Sequence, residues 1–300
     1  MIKIAWSSVY KYELPDGHRF PMEKYDLLPE QLKYEGTAET SDFFVPDALP
    51  EADILLTHTE EYLYKLHHQT LSSKEIRNIG FPMTPALVTR GKHIANGTWM
   101  CAQFAIKQGV ALNIAGGTHH AYADRGEGFC IFNDIAIAAN IMKKTYPGTK
   151  ILIIDLDVHQ GNGTAKIFED EPDVFTLSVH GAKNYPVRKE KSDLDIALPD
   201  GTGDAAYLDA LKNCIPVTIQ QFKPDFIFYL AGVDVLATDK LGRLSLSKQG
   251  CKDRDAYIFY LAKHHQIPIA VSMGGGYSPR ISDILDAHAN TFKAAKEVFF

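Results

Sequence analysis

"KILIIDLDVHQGNG", residues 150–163, opens as an unbroken apolar run and closes with Asp155, Asp157 and His159 at alternate positions. A short apolar run without polar alternation reads as a strand buried on both faces, the habit of parallel sheets covered by helices. Four other segments repeat the event, an apolar run followed by polar residues or glycines: "VALNIAGGTHH" (110–120), "DVFTLSVHG" (173–181), "DFIFYLAGVD" (225–234) and "IPIAVSMGGGY" (267–277). Between them lie stretches of helical spacing. Ile135, Ala138, Ala139 and Met142 make one stripe, and Leu208, Leu211, Ile215, Ile219 and Phe222 make another, which Pro216 is expected to kink or restart. Strands alternating with helices predict an α/β fold with a central, mostly parallel sheet flanked by helices. Residues 1–95 alternate less clearly. There "EYLYKLHHQTL" (61–71) reads as helix, and "FPMTPALVTRG" (81–91) as a loop entering a helix near Gly91.

No repeat, low-complexity segment or Pro/Gly/Ser linker divides the chain, so its 300 residues, 45% of them hydrophobic, read as one domain over 1–300. A net charge of -6 and a pI near 6.0 argue against a general nucleic-acid binder, which needs a basic patch, and suggest a cationic substrate. The first twenty residues lack the apolar stretch and small-residue site of a signal peptide, and no window approaches 18 apolar residues. A cytoplasmic protein without a membrane span is the expectation. Cys101, Cys130, Cys214 and Cys251 form no C-x-x-C pair and read as reduced thiols, so the N-x-T sequences at Asn96 and Asn162 carry no glycosylation meaning.

In open parallel sheets the strand C-termini share one edge, and ligands bind just beyond it. The five runs thus bring His119 and His120, Asp155, Asp157 and His159, His180, Asp234, and Gly274 to Tyr277 to one rim. Strand alternation puts Asp155, Asp157 and His159 on one side. Two carboxylates and an imidazole converging there without a basic partner call for a cation. Asp157, His159 and Asp234 would be three protein ligands with one position left for water and substrate, while Asp155 accepts from a histidine. Two oxygens and one nitrogen suit Zn²⁺, Fe²⁺ or Mn²⁺. Of three His-His pairs, only His119-His120 follows a strand and a Gly-Gly turn; His67-His68 and His264-His265 read as solvated or helix-end pairs. "SMGGGYS" lacks the Lys-Ser/Thr of a phosphate loop, so its glycines read as allowing close backbone approach while Tyr277 projects as an oxyanion donor. His18, His58, His93 and His288 receive no role, and His180 no partner.

With "GGTHHA" (116–121), "GFCIFND" (128–134), "IDLDVHQGNGT" (154–164), "LSVHG" (177–181), "AGVD" (231–234) and "MGGGY" (273–277) in this order, the sequence resembles the histone deacetylase family and its relatives, the acetoin-utilisation proteins and acetylpolyamine amidohydrolases. Its length and "SDLDIALPDGTGD" (192–204) look most like the class IV branch and its bacterial relatives. The resemblance implies the arginase/deacetylase fold, a single domain around about eight strands. It implies zinc at Asp157, His159 and Asp234, Asp155 paired with His119, and Asn162 with His120. Frequently cited members carry Asp at the Asn162 position, so His120 would here be less charge-stabilised. By the same resemblance Phe129 and Tyr185 would line an acyl-lysine tunnel, Gly128 would accept from the substrate amide, and Arg19 in "HRFPM" (18–22) would stand near an acetate exit. Potassium would bind Asp155, Ser178 and the backbone carbonyls of Asp157, His159 and Val179. "NIGFPMTPAL" (78–87) has no counterpart of the acid with which some members clamp the substrate backbone.

The expected activity is hydrolysis of acyl-lysine in proteins or peptides. His119 and His120 would move the protons and Tyr277 would donate to the developing oxyanion. An amidohydrolase acting on acetylpolyamines or other small cationic amides is the alternative, although no long insertion narrows the entrance as in dimeric polyamine enzymes. A silent acyl-lysine binder would have a broken residue set, and here every position is filled. An arginase-like pair of metals would need more carboxylates.

Overall fold

All five apolar runs become strands, and three further strands extend the sheet at its edges. A computed structural model describes residues 2–300. In chain order the strands are β1 (Ile4–Ala5), β2 (Phe43–Phe44), β3 (Val110–Asn113), β4 (Ile151–Asp155), β5 (Val174–Gly181), β6 (Leu194–Leu198), β7 (Phe226–Leu230) and β8 (Ile269–Ser272). They form one sheet in the order β2-β1-β3-β8-β7-β4-β5-β6, with every pairing parallel. The helices are α1 (Lys24–Tyr34), α2 (Glu51–Ile54), α3 (Glu60–His68), α4 (Ser73–Ile79), α5 (Pro85–Gln108), α6 (Asp134–Thr145), α7 (Asn162–Ile167), α8 (Asp204–Phe222), α9 (Lys248–His264) and α10 (Ile281–Phe299).

The unbroken apolar pattern of β4 has a direct cause. Ile151 and Ile153 face a cluster with Cys101, Ala102 and Ala105 of α5 and Ala136, Ala139 and Met142 of α6. Leu152 and Ile154 face the opposite cluster, with Leu211 and Ile215 of α8, Ile258 of α9 and Phe292 of α10. Both faces are covered, so neither register tolerates a polar side chain. No described helix is long and apolar enough to cross a membrane.

Two helix boundaries differ from expectation. The helix expected near Gly91 starts at Pro85, because Thr84 Oγ1 accepts from the Leu87 N–H at 3.4 Å and proline suits the first turn, where its missing N–H costs nothing. α8 runs through Pro216 without a break. The carbonyl that Pro216 leaves without a donor is that of Lys212, on the exposed side of the helix, where water can satisfy it. On the buried side Tyr207, rather than Leu208, begins the stripe.

α9 also carries a fully buried ion pair. Arg254 Nε donates to Asp255 Oδ1 at 2.8 Å, and Arg254 Nη1 donates to the carbonyls of Leu156 at 3.2 Å and Gly232 at 2.7 Å. Those carbonyls precede Asp157 and Asp234 by one and two residues. Arg254→Met is expected to cost about 3–5 kcal/mol, because it strips a buried carboxylate of its charge partner. A fall in denaturant midpoint at unchanged m-value would check this; wild-type stability would show the pair to be dispensable.

Candidate metal centre

β4 ends at Asp155, so strand alternation does not align Asp155, Asp157 and His159 as expected. The Leu156 N–H still bonds the Leu230 carbonyl at 3.1 Å, and the chain then turns over the sheet edge. Side chains that cap the following backbone hold this turn. Asp155 Oδ1 accepts from the Asp157 N–H at 3.1 Å, Asp157 Oδ1 from the His159 N–H at 3.0 Å, and Asp234 Oδ1 from the Val158 N–H at 2.9 Å. Aspartate is well suited to such local capping, which frees the chain from ladder geometry.

Asp157, His159 and Asp234 are buried, and each offers one ligand atom within 4.8 Å of the others. His159 Nδ1 stands 3.1 Å from both Asp157 Oδ1 and Asp234 Oδ2. Ligand atoms arranged tetrahedrally with bonds of about 2.0–2.1 Å are separated by about 3.3 Å, so the donor set fits a divalent cation. The "MGGGY" backbone closes the site from above. The Gly275 N–H donates to Asp157 Oδ2 at 2.9 Å, and a Cβ there would stand 2.2 Å from Asp234 Oδ2, so only glycine fits.

The electrostatics point the same way. Burial and the neighbouring Asp157 charge raise Asp234 to about 7. Burial would also raise Asp157, but His119 and His159 hold it well below the usual carboxylate range. His159 is raised to about 10 despite burial, through its hydrogen bonds to the two carboxylates. Protons thus occupy the ground that a cation would take.

His119 and His120 lie side by side, ring centroids 4.1 Å apart, with unlike partners. His119 Nδ1 meets Asp155 Oδ2 at 2.6 Å, and His120 Nδ1 meets Asn162 Oδ1 at 2.6 Å. Burial alone would lower His119, but the Asp155 charge raises it to about 9; burial raises Asp155 as well. His120, facing a neutral amide, is pushed well below the ordinary histidine value by burial and by the His119 and His159 charges. An amide oxygen can only accept, so the His120 ring N–H is on Nδ1 and Nε2 carries the lone pair. The Asn162 amide is oriented in turn by donating to Tyr122 Oη at 3.0 Å and to Glu127 Oε2 at 3.5 Å.

His120, His159 and Tyr277 line a cavity of about 350 Å³, with Gly128, Phe129 and Tyr185 on its walls. Phe129 is backed by Phe81, with centroids 5.1 Å apart, and has a positive φ of 69°, a strained conformation for a non-glycine residue. Tyr185 stands edge-on to His120 at 4.9 Å and donates to Glu127 Oε2 at 2.5 Å. The Gly128 carbonyl accepts from the Cys130 thiol at 3.3 Å. The Tyr277 hydroxyl has no hydrogen-bond partner among the described residues, and burial with the Asp234 and Asp157 charges raises it well above 10, so it stays a donor.

Arg19 is not where the resemblance set it. It lies exposed at the outer cavity, its guanidinium 5.0 Å from the Phe129 ring centroid. A smaller hollow of about 40 Å³ continues inward past His119 and Asp157, and its arginine is the buried Arg90 of α5. No motif marks Arg90; its helix reaches the site only through the fold. Glu127, directly before "GFC", also escaped the sequence reading, though its adjacency to that motif was a usable signal. Ser178 faces Asp155 in register across β5 and β4, Val179 follows it in β5, and the Ser178 hydroxyl bonds His180 Nδ1 at 3.0 Å, supplying the partner His180 lacked. The other histidines lie outside the His119–His120 pair and the donor set, although His18 stands edge-on to the Phe129 ring, centroids 5.9 Å apart. His67 pairs with Glu51 at 3.1 Å, His68 stacks on Tyr64, and His58 Nε2 accepts from the Asn133 N–H at 3.0 Å.

Three similarities accompany this geometry. A protein of Picosynechococcus sp. described only as uncharacterised is 40% identical over 296 residues, covering 99% of both chains. Histone deacetylase 2 of Arabidopsis thaliana is 30% identical over 290 residues, covering 92% of this chain and 74% of that one. The crystal structure of a histone deacetylase homologue from Aquifex aeolicus superposes with a TM-score of 0.83 at 25% identity, over 99% of this chain and 88% of that one. The histone deacetylase domain model matches residues 18–292, which takes in every strand from β2 to β8 and each residue of the metal centre, so the chain belongs to the histone deacetylase family.

Proposed function

We propose that this family hydrolase is a zinc-dependent lysine deacylase, cleaving the amide between an acyl group and the ε-amine of lysine in proteins or peptides. The observation that carries the reading is a buried three-ligand cation set and an unengaged phenol meeting at the inner end of one cavity. Asp157, His159 and Asp234 would hold the ion, which when bound supplies Lewis acidity toward the acyl carbonyl and toward water; Fe²⁺ or Mn²⁺ would satisfy the same donors.

The other roles fall to the chain's own side chains. Phe129 and Tyr185 flank the aliphatic lysine stem, and the Gly128 carbonyl accepts from the substrate amide. His120 Nε2 takes the proton of the attacking water. Tyr277 donates to the carbonyl oxygen as negative charge grows there. His119 protonates the departing lysine nitrogen as the C–N bond breaks. This division follows from the partners, because Asp155 favours a charged ring whereas Asn162 favours a neutral one. A potassium ion held by Asp155, Ser178 and the carbonyls of Asp157, His159 and Val179 would steady the Asp155 side of the pair.

Elemental analysis of the purified protein, with an assay of acyl-lysine peptides of increasing chain length, tests the reading. One equivalent of divalent metal and release of free lysine peptide are expected. A metal-replete protein that cleaves none of the panel would refute it.

The base assignment has its own check. With metal kept saturating at every pH, wild-type kcat/KM should show no acid limb from His120 near pH 6.5, since His120 stays neutral there, and should fall above about pH 9 as His119 loses its proton. Asn162→Asp places a carboxylate against His120 and favours the imidazolium, so the acid limb should move up by about 1–3 pH units. An unmoved limb in the pH-rate profile would remove His120 from the base role.

A further inference from the structure

Although the whole chain carries a net charge of -6, the mouth of its catalytic cavity is basic. Arg19, Lys183 and Arg243 line the cavity, and no carboxylate lines it with them. One acid, Asp200, answers two of these cations, lying 3.5 Å from Lys183 Nζ and 3.3 Å from Arg243 Nη1. Arg19 has no ion-pair partner among the described residues; its guanidinium faces the Phe129 ring. Beside the mouth the segment 183–189 adds Arg188, exposed and likewise without a carboxylate partner, next to the fully exposed Val187. Two further acids touch residues of the cavity wall, and both are engaged: Glu127 by Arg125 Nε at 3.1 Å and the Tyr185 hydroxyl, and the largely buried Asp239 by the backbone N–H groups of Leu241, Gly242 and Tyr277 at 2.8, 2.9 and 2.6 Å. Locally the entrance therefore repels cations, against the expectation from overall charge that a cationic substrate would suit this protein.

We propose that this rim selects acyl-lysine carried on acidic polypeptide segments, with Asp or Glu flanking the acylated residue, and disfavours polycationic amides such as acetylated polyamines. The inference rests on the deacylase reading above. The acyl-lysine side chain itself is neutral once acylated, so its own charge cannot guide it to the tunnel. What meets Arg19, Lys183 and Arg243 is whatever lies on either side of it. Flanking carboxylates would be drawn to these three exposed cations around a concave mouth, where complementary charge raises the encounter rate. Ammonium groups of a polyamine would meet the same cations at close range and be repelled.

The test compares kcat/KM of the metal-loaded protein on three acetyl-lysine peptides of equal length, with flanking Asp/Glu, Ser/Gly or Lys/Arg, and on acetylspermidine. In about 0.01 M salt, where the Debye length is about 30 Å, the acidic peptide should exceed the basic one by at least about tenfold, and the ratio should shrink to about twofold in 1 M salt, where the Debye length is about 3 Å. Lys183→Glu combined with Arg243→Glu should invert the ratio within that variant. The salt series on wild-type protein keeps the test decisive if the double variant does not fold. Equal rates on all three peptides, or preference for the basic peptide or acetylspermidine, would overturn the inference while leaving amide hydrolysis intact. Cleavage of none of them would sink the deacylase reading and this inference with it.

Discussion

Asp234→Ala is expected to strip the protein of its divalent metal and to lower kcat/KM by at least about 10³-fold, taking the several kcal/mol of charge stabilisation a Lewis acid supplies at about 1.4 kcal/mol per decade. Asp234 has no solvent exposure, one oxygen 2.9 Å from the Val158 N–H and the other 3.1 Å from His159 Nδ1, so its truncation removes one of the three donors from a buried site. Metal affinity of the wild type should also depend on pH in a defined way. A cation must displace the proton of His159, held up to about pH 10, and below about pH 7 that of Asp234 as well. Apparent affinity should fall by about one decade per pH unit on acidifying toward 7 and by about two below it, one decade per displaced proton. Metal titrations monitored by calorimetry across pH 6–9 would show this, and a slope of zero would mean that the ion does not bind these two residues.

Tyr277→Phe is the second large effect and separates metal binding from catalysis. Removing one positioned oxyanion donor typically costs about 10²–10³ in kcat. The Tyr277 hydroxyl makes no hydrogen bond within the described chain, so its removal breaks no structural contact. The phenylalanine variant should keep wild-type metal content and melting temperature, keep KM within about threefold because the donor acts mainly in the transition state, and lose turnover. Wild-type kcat in this variant would exclude Tyr277 from the chemistry.

Both predictions concern residues legible in the sequence, and the reason lies in how the fold assembles them. Asp157, His159 and Asp234 each follow a strand that is apolar on both faces, and polar residues at the C-terminal edge of such strands have nowhere to go but the shared rim. The detail was less legible. Same-side alternation pointed to residues that do converge, but by a route the chain does not take, since β4 ends at Asp155 and the acids cap their own turn. The strands β1 and β2, two residues each, are too short to show any period, and β6 alternates exposed and half-buried residues as an edge strand does.

What the amino-acid sequence alone determined is the α/β class, the five inner strands, and the order of motifs that identifies the family, because apolar periodicity and short-range spacing are properties of neighbouring residues. What only the tertiary structure decided is where lone charged side chains end up: Arg90 rather than Arg19 at the inner hollow, Glu127 behind Tyr185, Arg254 under the two loops that carry Asp157 and Asp234, and a basic mouth on an acidic protein. A single arginine or glutamate has no period. Its surroundings are set by segments dozens of residues away, and those surroundings exist only once the chain has folded.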